Sequence, residues 1–198
     1  MNNQDPELVV KIAGSCLYNI LRSILEVWGK EAIGDLIGKR VESHFTLINA
    51  FPWQTAIRKP SEVSHGDYKA RERVVEFNKA INKRGGLDFS NIGWYHGHYF
   101  SPKEKRISFF GENDYRFFRE EMEKVNRTES LMIVASIRAR RYRRKQKAGV
   151  FISEHRKSLR VIYKRQHSPY WGYDVILSAF LLSLKKEGAR LKKLKIIP

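Results

Sequence analysis

The segment from Ile92 to Phe100 reads IGWYHGHYF, an apolar run that leads into two histidines. The run from Ile92 to Tyr95 predicts a buried strand. His96 and His98 follow it two residues apart, so in an extended chain both imidazoles lie on the same side. Two neutral imidazoles can supply two of the three protein ligands of a catalytic zinc, and a carboxylate would then supply the third. The pair by itself also fits two polar residues in a loop that follows a strand.

Two carboxylates, one downstream and one upstream of the histidines, are candidates for the remaining roles. Asp114, in the segment FFGENDYRFF, falls at the start of a predicted helix. It fits an N-cap, and it also fits a metal ligand that the returning chain sets beside the histidines. Glu31 precedes an apolar segment with Gly34 and Gly38, and glycines inside an apolar strand indicate a close backbone approach or a bulge. Taken alone, Glu31 also fits a surface carboxylate that follows a helix.

The rest of the chain predicts one domain in which helices and strands are interspersed. Helices are predicted from Pro6 to Trp28, Ser64 to Lys83, Asp114 to Val125 and Tyr173 to Leu184. Strands are predicted for Ala32 to Ile37, Phe45 to Ala50, Ile92 to Tyr95, Leu131 to Ile137, Gly149 to Ser153 and Leu159 to Tyr163. This order predicts an α/β or α+β domain with one mixed sheet.

Cysteine usage and hydropathy predict a soluble, cytoplasmic protein. Cys16 is the one cysteine, so no disulfide can form within the chain, and a reducing compartment fits best. Its place in an apolar-periodic segment predicts a small buried hydrophobe. The apolar window from Tyr173 to Leu184 is shorter than the roughly 20 residues that a membrane span needs. We therefore expect no membrane segment.

Three segments together resemble the conserved blocks of the JAMM (MPN+) metallopeptidases. The first, EAIGDLIGKRVESHFTLINAFPW from Glu31 to Trp53, resembles a block in which a Glu is followed by two spaced glycines. The second, IGWYHGHYF, resembles the family's strand end G-W-Y-H-x-H. The third, FFGENDYRFF, resembles a block in which a Ser stands three residues before a metal-binding Asp. The likeness covers residues 7 to 165, and the blocks occur in the family's order.

The resemblance assigns a role to each candidate residue by position. It implies that His96, His98 and Asp114 hold a zinc ion and that Glu31 is the acid/base for the attacking water. It implies a mixed central sheet flanked by helices, in a cytidine-deaminase-like architecture, over residues 1–165. Residues 166–198 are expected to form a C-terminal helix and a basic tail of the same domain. The implied activity is hydrolysis of an isopeptide or peptide bond at the C-terminus of a ubiquitin-like protein, with that protein or its conjugates as partners.

The chain departs from the family pattern at three places. Tyr99 follows the second histidine, where the family usually has Pro. The interval from His98 to Asp114 is 16 positions, which is longer than usual. Gly111 replaces the Ser that helps to stabilise the oxyanion, and loss of one such donor can cost on the order of 10²- to 10³-fold in rate. Metal binding is therefore more firmly predicted than a full catalytic rate.

Because Gly111 has no hydroxyl group, other residues are candidates for the oxyanion role. Ser108 or Asn113 could take the oxyanion role after a loop rearrangement, and Ser108 is the candidate catalytic residue. A rival alignment that puts Ser108 in the serine position places Gly111 at the ligand position, where it cannot bind a metal. Asp114 is therefore the preferred ligand, and Glu112 is the spare.

The charge pattern predicts a polyanionic partner. The formal net charge is +17, and the run RARRYRRKQK from Arg138 to Lys147 has seven basic residues in ten. The run fits a solvated basic loop, a dock for an acidic ubiquitin-like substrate, or a nucleic-acid contact with Tyr142 as a stacking group. The alternative to an enzyme is a catalytically weak or inactive MPN-like module that binds a partner protein or a nucleic acid.

Overall fold

The structure is a computed structural model, and it describes residues 7–27, 29–54, 56–59, 62–64, 69–70, 72–74, 76–77, 80, 90–100, 111–185 and 188–198. The strands are β1 (Val9–Ile12), β2 (Ala32–Val41), β3 (His44–Pro52), β4 (Ile57–Lys59), β5 (Glu62–Ser64), β6 (Ser90–Phe100), β7 (Glu129–Arg141), β8 (Gly149–His155), β9 (Ser158–Lys164), β10 (Trp171–Lys185) and β11 (Gly188–Ile197). The helices include α1 (Gly14–Glu26) and α2 (Glu112–Lys124), and further helical residues lie between positions 69 and 80. Within these described ranges, no helix combines the length and the apolar character needed to cross a membrane.

The main sheet closes into a barrel. Among the described residues, nine strands form one sheet in the order β11-β1-β3-β2-β6-β7-β10-β9-β8, and β11 also pairs with β10. The second pairing closes a ring of seven strands and leaves β9 and β8 as an extension. The expected α/β fold, a mixed central sheet flanked by helices in a cytidine-deaminase-like architecture, is therefore wrong. Closure pairs the edge strands that an open sheet would leave exposed.

The C-terminal part of the chain supplies two strands of this barrel. The predicted helix from Tyr173 to Leu184 is wrong, because these residues lie in β10, which pairs with β7, β9 and β11. Every residue from Val175 to Leu182 is buried, since both faces of the strand are covered. A strand that is buried on both faces loses its apolar–polar alternation, and its apolar run then looks like a buried helix.

The N-terminal part also begins differently from the prediction. Val9 to Ile12 were expected in the first helix, but they form β1, which lies parallel between β3 and β11. The helix α1 starts at Gly14 and buries Cys16, as its apolar periodicity predicted. The β-branched residues of β1 suit a strand, and the contacts that stabilise it come from segments far away in the chain.

Two apolar clusters lie on opposite faces of the sheet. The first takes residues from all seven barrel strands and from one face of α1, and Tyr95 belongs to it. The second covers the other face of β2, β6, β7 and β10 against α2, and it includes Trp94, Phe118, Met122 and Met132. Because Trp94 and Tyr95 point to opposite faces, His96 and His98 share the face of Trp94, which is the face that α2 covers.

The unit β6-α2-β7 places the helix next to the histidines. β6 and β7 are parallel neighbours, and His98 lies opposite Ser136 in their register. A parallel connection needs a crossover, here one that contains α2. The crossover leaves the C-terminal end of β6 and enters α2, so the first turn of the helix lies near His96 and His98.

Candidate metal centre

β6 presents the two histidines on one face. The ring centroids of His96 and His98 are 4.5 Å apart, and Phe118 of α2 packs edge-on against His96 at 5.9 Å. Gly97, between them, points to the other face, where an added Cβ would lie 2.9 Å from Cγ1 of Ile24 and 3.2 Å from Cβ of Ala32. The missing side chain at Gly97 therefore lets α1 and β2 pack closely behind the two ligand candidates.

Asp114 occupies the first turn of α2 and uses its two carboxylate oxygens differently. Its Oδ2 accepts a hydrogen bond from the backbone N–H of Gly111 at 2.8 Å, which satisfies a donor at the start of the helix. Its Oδ1 lies 3.3 Å from Nδ1 of His96 and 3.3 Å from Nε2 of His98. The capping role and the ligand role, which the sequence posed as alternatives, are thus both compatible with one side chain.

Glu31 approaches from the opposite side of His96. Its Oε2 lies 3.1 Å from Nε2 of that ring, and β2 begins at the next residue. The predicted close approach at the two glycines that follow is confirmed. An added Cβ would lie 2.3 Å from the carbonyl oxygen of Phe51 at Gly34 and 2.1 Å from that of Thr46 at Gly38, and the β2–β3 register shifts just before Gly38.

The four side chains form a buried, electrostatically coupled group. The side chains of His96, His98, Asp114 and Glu31 are 5%, 15%, 8% and 13% exposed. Burial acts to lower the pKa of His96, but its contacts with Asp114 and Glu31 outweigh burial and raise that pKa to about 9. Burial acts to raise the pKa of Asp114, but its contacts with the two histidines hold that pKa well below its ordinary value. In the absence of a metal ion, this raised pKa favours a protonated His96 beside the two carboxylates.

Two buried nitrogen atoms indicate that a metal fits this group. Nδ1 of His96 and Nε2 of His98 make no hydrogen bond within the described part of the chain. Both lie 3.3 Å from the same oxygen of Asp114, an ion-pair contact and not a hydrogen bond. Buried polar atoms without a hydrogen bond are costly, and imidazole nitrogens and carboxylate oxygens are the ligand atoms that zinc and related ions accept.

The structure allows two ligand sets, because His96 has one nitrogen toward each carboxylate. Ligand atoms of Glu31, His96 and His98 lie within 4.8 Å of one another and could hold a metal ion. Asp114 with the two histidines is the second set, through Nδ1 of His96 and Nε2 of His98. One ion cannot bind both nitrogens of the same ring. The carboxylate that does not bind the ion could therefore accept a proton or hold a histidine ring in place.

The remaining sequence predictions for the site have mixed outcomes. Ser108 lies outside the described residues. Glu112, the spare ligand, is exposed at the first position of α2. Tyr99 packs against the barrel cluster on the face opposite the histidines. The ring of Phe100 shares the face of His98, with 6.0 Å between centroids.

Sequence reasoning missed the polar neighbours that β7, β9 and β10 bring to the metal-centre face. Ser136, directly opposite His98, is 1% exposed. Asp174 is 8% exposed and lies opposite Arg138, which is two residues beyond Ser136 on β7. Such residues carry no local motif, because only the pairing register places them there. The sequence signal that could have been used is Asp174 itself, a charged residue at the start of an apolar run.

Comparison with known proteins informs the fold alone. The sequence matches none of the protein-family models and none of the curated proteins with which it was compared. Its structure is similar to the solution structure of protein DSY2949 from Desulfitobacterium hafniense, with a TM-score of 0.52 and 14% sequence identity. The match covers 95% of this chain and 92% of that chain. At this identity the similarity supports the shared barrel-containing architecture and carries no residue roles.

Proposed function

We propose that the chain is a zinc-dependent hydrolase with a JAMM-type site that cleaves isopeptide or peptide bonds, at the C-terminus of a ubiquitin-like modifier. The observation that carries the proposal is the convergence of His96, His98, Asp114 and Glu31, which are distant in sequence, into one buried group. The proposal concerns this site and not the fold, because one chemistry can be carried by unrelated architectures.

The donor set favours zinc over harder cations. Two imidazoles with one carboxylate match the nitrogen and oxygen donors of catalytic zinc centres, which keep a position open for water. Magnesium and calcium prefer sites built from oxygen atoms. When bound, zinc polarises a carbonyl group and lowers the pKa of a water molecule toward about 7.

The side chains around the ion have separate roles. His96, His98 and Asp114 would hold the ion, and the hydrogen bond from Gly111 orients the carboxylate of Asp114. Glu31 is the acid/base that takes the proton of the attacking water and passes it to the leaving amine. For this role its carboxylate turns away from Nε2 of His96, which lies 3.1 Å from its Oε2. Phe118 and Trp94 lie on the same face and exclude water from the rear of the site.

Metal analysis of the purified protein tests the proposal. We expect one zinc per chain, with loss of the metal in His96→Ala and Asp114→Ala. The matched controls are His155→Ala, an exposed histidine on β8, and Glu112→Ala, an exposed carboxylate two residues from Asp114 on the same helix. Both controls should keep full zinc occupancy. Metal-free wild-type protein after purification in zinc-containing buffer would contradict the proposal.

Cleavage assays separate the enzyme from the binding module. The zinc-loaded protein should release a ubiquitin-like modifier from a lysine conjugate or a linear fusion, and chelation should stop the reaction. Stoichiometric zinc without cleavage of any modifier tested would favour the weak or inactive module instead.

A further inference from the structure

The loops that follow β7 and β9 meet at one end of the sheet. The backbone N–H of Tyr142 donates to the carbonyl of Tyr170 at 2.7 Å, and that of Gln146 donates to the carbonyl of Pro169 at 3.0 Å. These bonds hold the two loops against each other, so side chains that are distant in sequence share one surface. We refer to residues 141–147 and 165–171 as the loop-end surface.

The basic residues of the loop-end surface have no acidic counterpart. Residues 141–173 contain ten basic residues and one acidic residue, Glu154. Glu154 lies on β8 and forms an ion pair with Lys195 at 3.6 Å. The exposed cations of the surface are Arg141, Arg143, Arg144, Lys145, Lys147 and Arg165. Within the part of the chain that the structure describes, none of these six forms an ion pair with a carboxylate. Uncompensated charge of this density attracts polyanions.

Two aromatic rings lie exposed among these cations. Tyr170 is 49% exposed, and Trp171 is 39% exposed. The guanidinium group of Arg141 is 6.0 Å from the ring centroid of Trp171, and the backbone N–H of Arg165 donates to the carbonyl of Trp171 at 3.2 Å. The register of β7 and β10 and this hydrogen bond therefore place an arginine on each side of Trp171.

Tyr142 is less open to a ligand than these two rings. The sequence suggested it as the stacking group, but its ring has Arg140 at 5.4 Å and Nζ of Lys164 at 5.8 Å, and its hydroxyl group is buried. It instead lines a cleft of about 540 Å³ together with Arg141, Arg143 and Tyr170. That volume is within the range of about 300–1,000 Å³ that is typical of sites for small ligands. A flat ring can therefore enter the cleft beside Tyr170.

We propose that the loop-end surface binds single-stranded nucleic acid, with bases stacked on Tyr170 and Trp171 and phosphates at the surrounding cations. Every nucleotide of a single strand offers a phosphate and an unpaired flat base, and this surface offers cations and open rings together. A duplex keeps its bases paired and would leave the two rings without a stacking partner. An acidic polypeptide would match the charge but has no repeating flat group for the rings.

The loop-end surface is separate from the candidate metal centre. His98 lies opposite Ser136 in the β6–β7 register. Arg141 is five residues further along β7, which is roughly 17 Å of strand. The inference therefore goes beyond the proposed hydrolase and does not depend on it. Nucleic-acid binding without zinc or cleavage would support this surface and remove the hydrolase.

Fluorescence anisotropy with labelled probes tests the stacking at a fixed salt concentration. The probes are single-stranded RNA and DNA of one sequence, the corresponding DNA duplex, and a glutamate-rich peptide with the charge of the strand. Tyr170→Leu/Trp171→Leu removes both rings and no charge, and Tyr18→Leu on α1, which is 62% exposed, is the matched control. We expect the double variant to weaken single-strand binding about tenfold or more, and the control to leave it within about twofold. Tyr170→Leu alone, at an exposed loop position, replaces the double variant if the latter does not fold.

A second pair of variants tests the phosphate contacts through their dependence on salt. Each phosphate contact to a single strand contributes about 0.7 to the slope of log affinity against log salt concentration. Arg143→Gln/Arg144→Gln should therefore make the slope shallower by about 1.4. Arg190→Gln/Lys192→Gln removes the same charge from exposed residues of β11, which pair with the other end of β10, and should leave the slope unchanged. An equal change of slope in the two pairs would show general charge attraction and overturn the site.

The remaining outcomes decide the class of ligand. Preferential binding of either single strand supports the proposal and names the nucleic acid. Single-strand affinity that is unchanged without the two rings would overturn it. Equal or tighter binding of the duplex would also overturn it, in favour of contacts to the phosphate backbone alone. Equal or tighter binding of the peptide would overturn it in favour of an acidic polypeptide.

Discussion

The carboxylate of Asp114 accepts a hydrogen bond from the backbone N–H of Gly111 at 2.8 Å. The other oxygen of this carboxylate faces the two imidazoles at 3.3 Å. One residue thus caps the start of α2 and turns a potential ligand atom toward the candidate metal centre. Because the two oxygens have different roles, a substitution at Asp114 can remove the metal contact and still keep the hydrogen bond that stabilises the helix start.

Replacement of Asp114 by Ala and by Asn should separate the cap from the ligand. Asp114→Ala removes the bond to Gly111, and loss of such a helix-start bond costs about 1 kcal/mol of unfolding free energy. Asp114→Asn keeps an oxygen that can accept the Gly111 N–H but removes the charge. We expect Asn to be more stable than Ala in urea unfolding above about pH 9 with chelator, and both variants to lose zinc. Equal stability of the two would show that the bond to Gly111 contributes nothing.

The unfolding free energy of the metal-free protein should fall as the pH rises. Because the folded-state pKa of His96 is raised from 6.5 to about 9, its protonated form favours the folded state. That contribution is complete below the unfolded pKa and is lost as the pH passes through the folded value. Urea unfolding with chelator between about pH 6 and pH 10 measures it, and His96→Gln should flatten the profile. With zinc, rising pH should instead stabilise the protein over the lower part of this range, because metal binding needs neutral imidazoles.

Glu31→Gln distinguishes the two ligand sets. If Asp114 completes the metal site and Glu31 moves the proton, the variant should keep its zinc and lose about 10²- to 10⁴-fold in kcat. Zinc content by elemental analysis and cleavage of a fluorogenic modifier conjugate are the measurements. Glu26→Gln, an exposed carboxylate near the end of α1, is the matched control and should change neither. Loss of zinc in Glu31→Gln would place Glu31 in the ligand set.

Gly111→Ser should restore a hydroxyl beside the site. The backbone at Gly111 has φ −93° and ψ 172°, which any residue adopts, and an added Cβ would make an ordinary contact with Oδ2 of Asp114 at 3.6 Å. We expect an increase in kcat, of up to the order of 10²-fold if this hydroxyl stabilises the oxyanion. Gly111→Ala has the same Cβ without the hydroxyl and should leave kcat within about threefold of wild type. A gain in Ala equal to that in Ser would point to helix stability as the cause.

Local sequence patterns were informative about the elements that build the site. The apolar run from Ile92 to Tyr95 predicted a strand, and β6 contains it. The strand continues to Phe100, so both histidines lie within it, with their rings on one face. The helix predicted from Asp114 begins at Glu112, two residues earlier. Gly34 and Gly38 predicted close backbone contacts, which the sheet confirms. These features depend on neighbours within a few positions, so a short stretch of sequence is enough to predict them.

Long-range pairing decided the rest. The segment from Tyr173 to Leu184 is apolar on both faces, so its pattern cannot separate a buried helix from a strand between two clusters. Its pairing with β7, β9 and β11 decides in favour of the strand. Closure of the barrel through β10 and β11, and the row that brings Arg138 and Asp174 beside the histidines, likewise depend on register. By itself the sequence determined which side chains could hold a metal. The tertiary structure alone decided which of them meet, because hydrogen bonds between distant strands fix those distances.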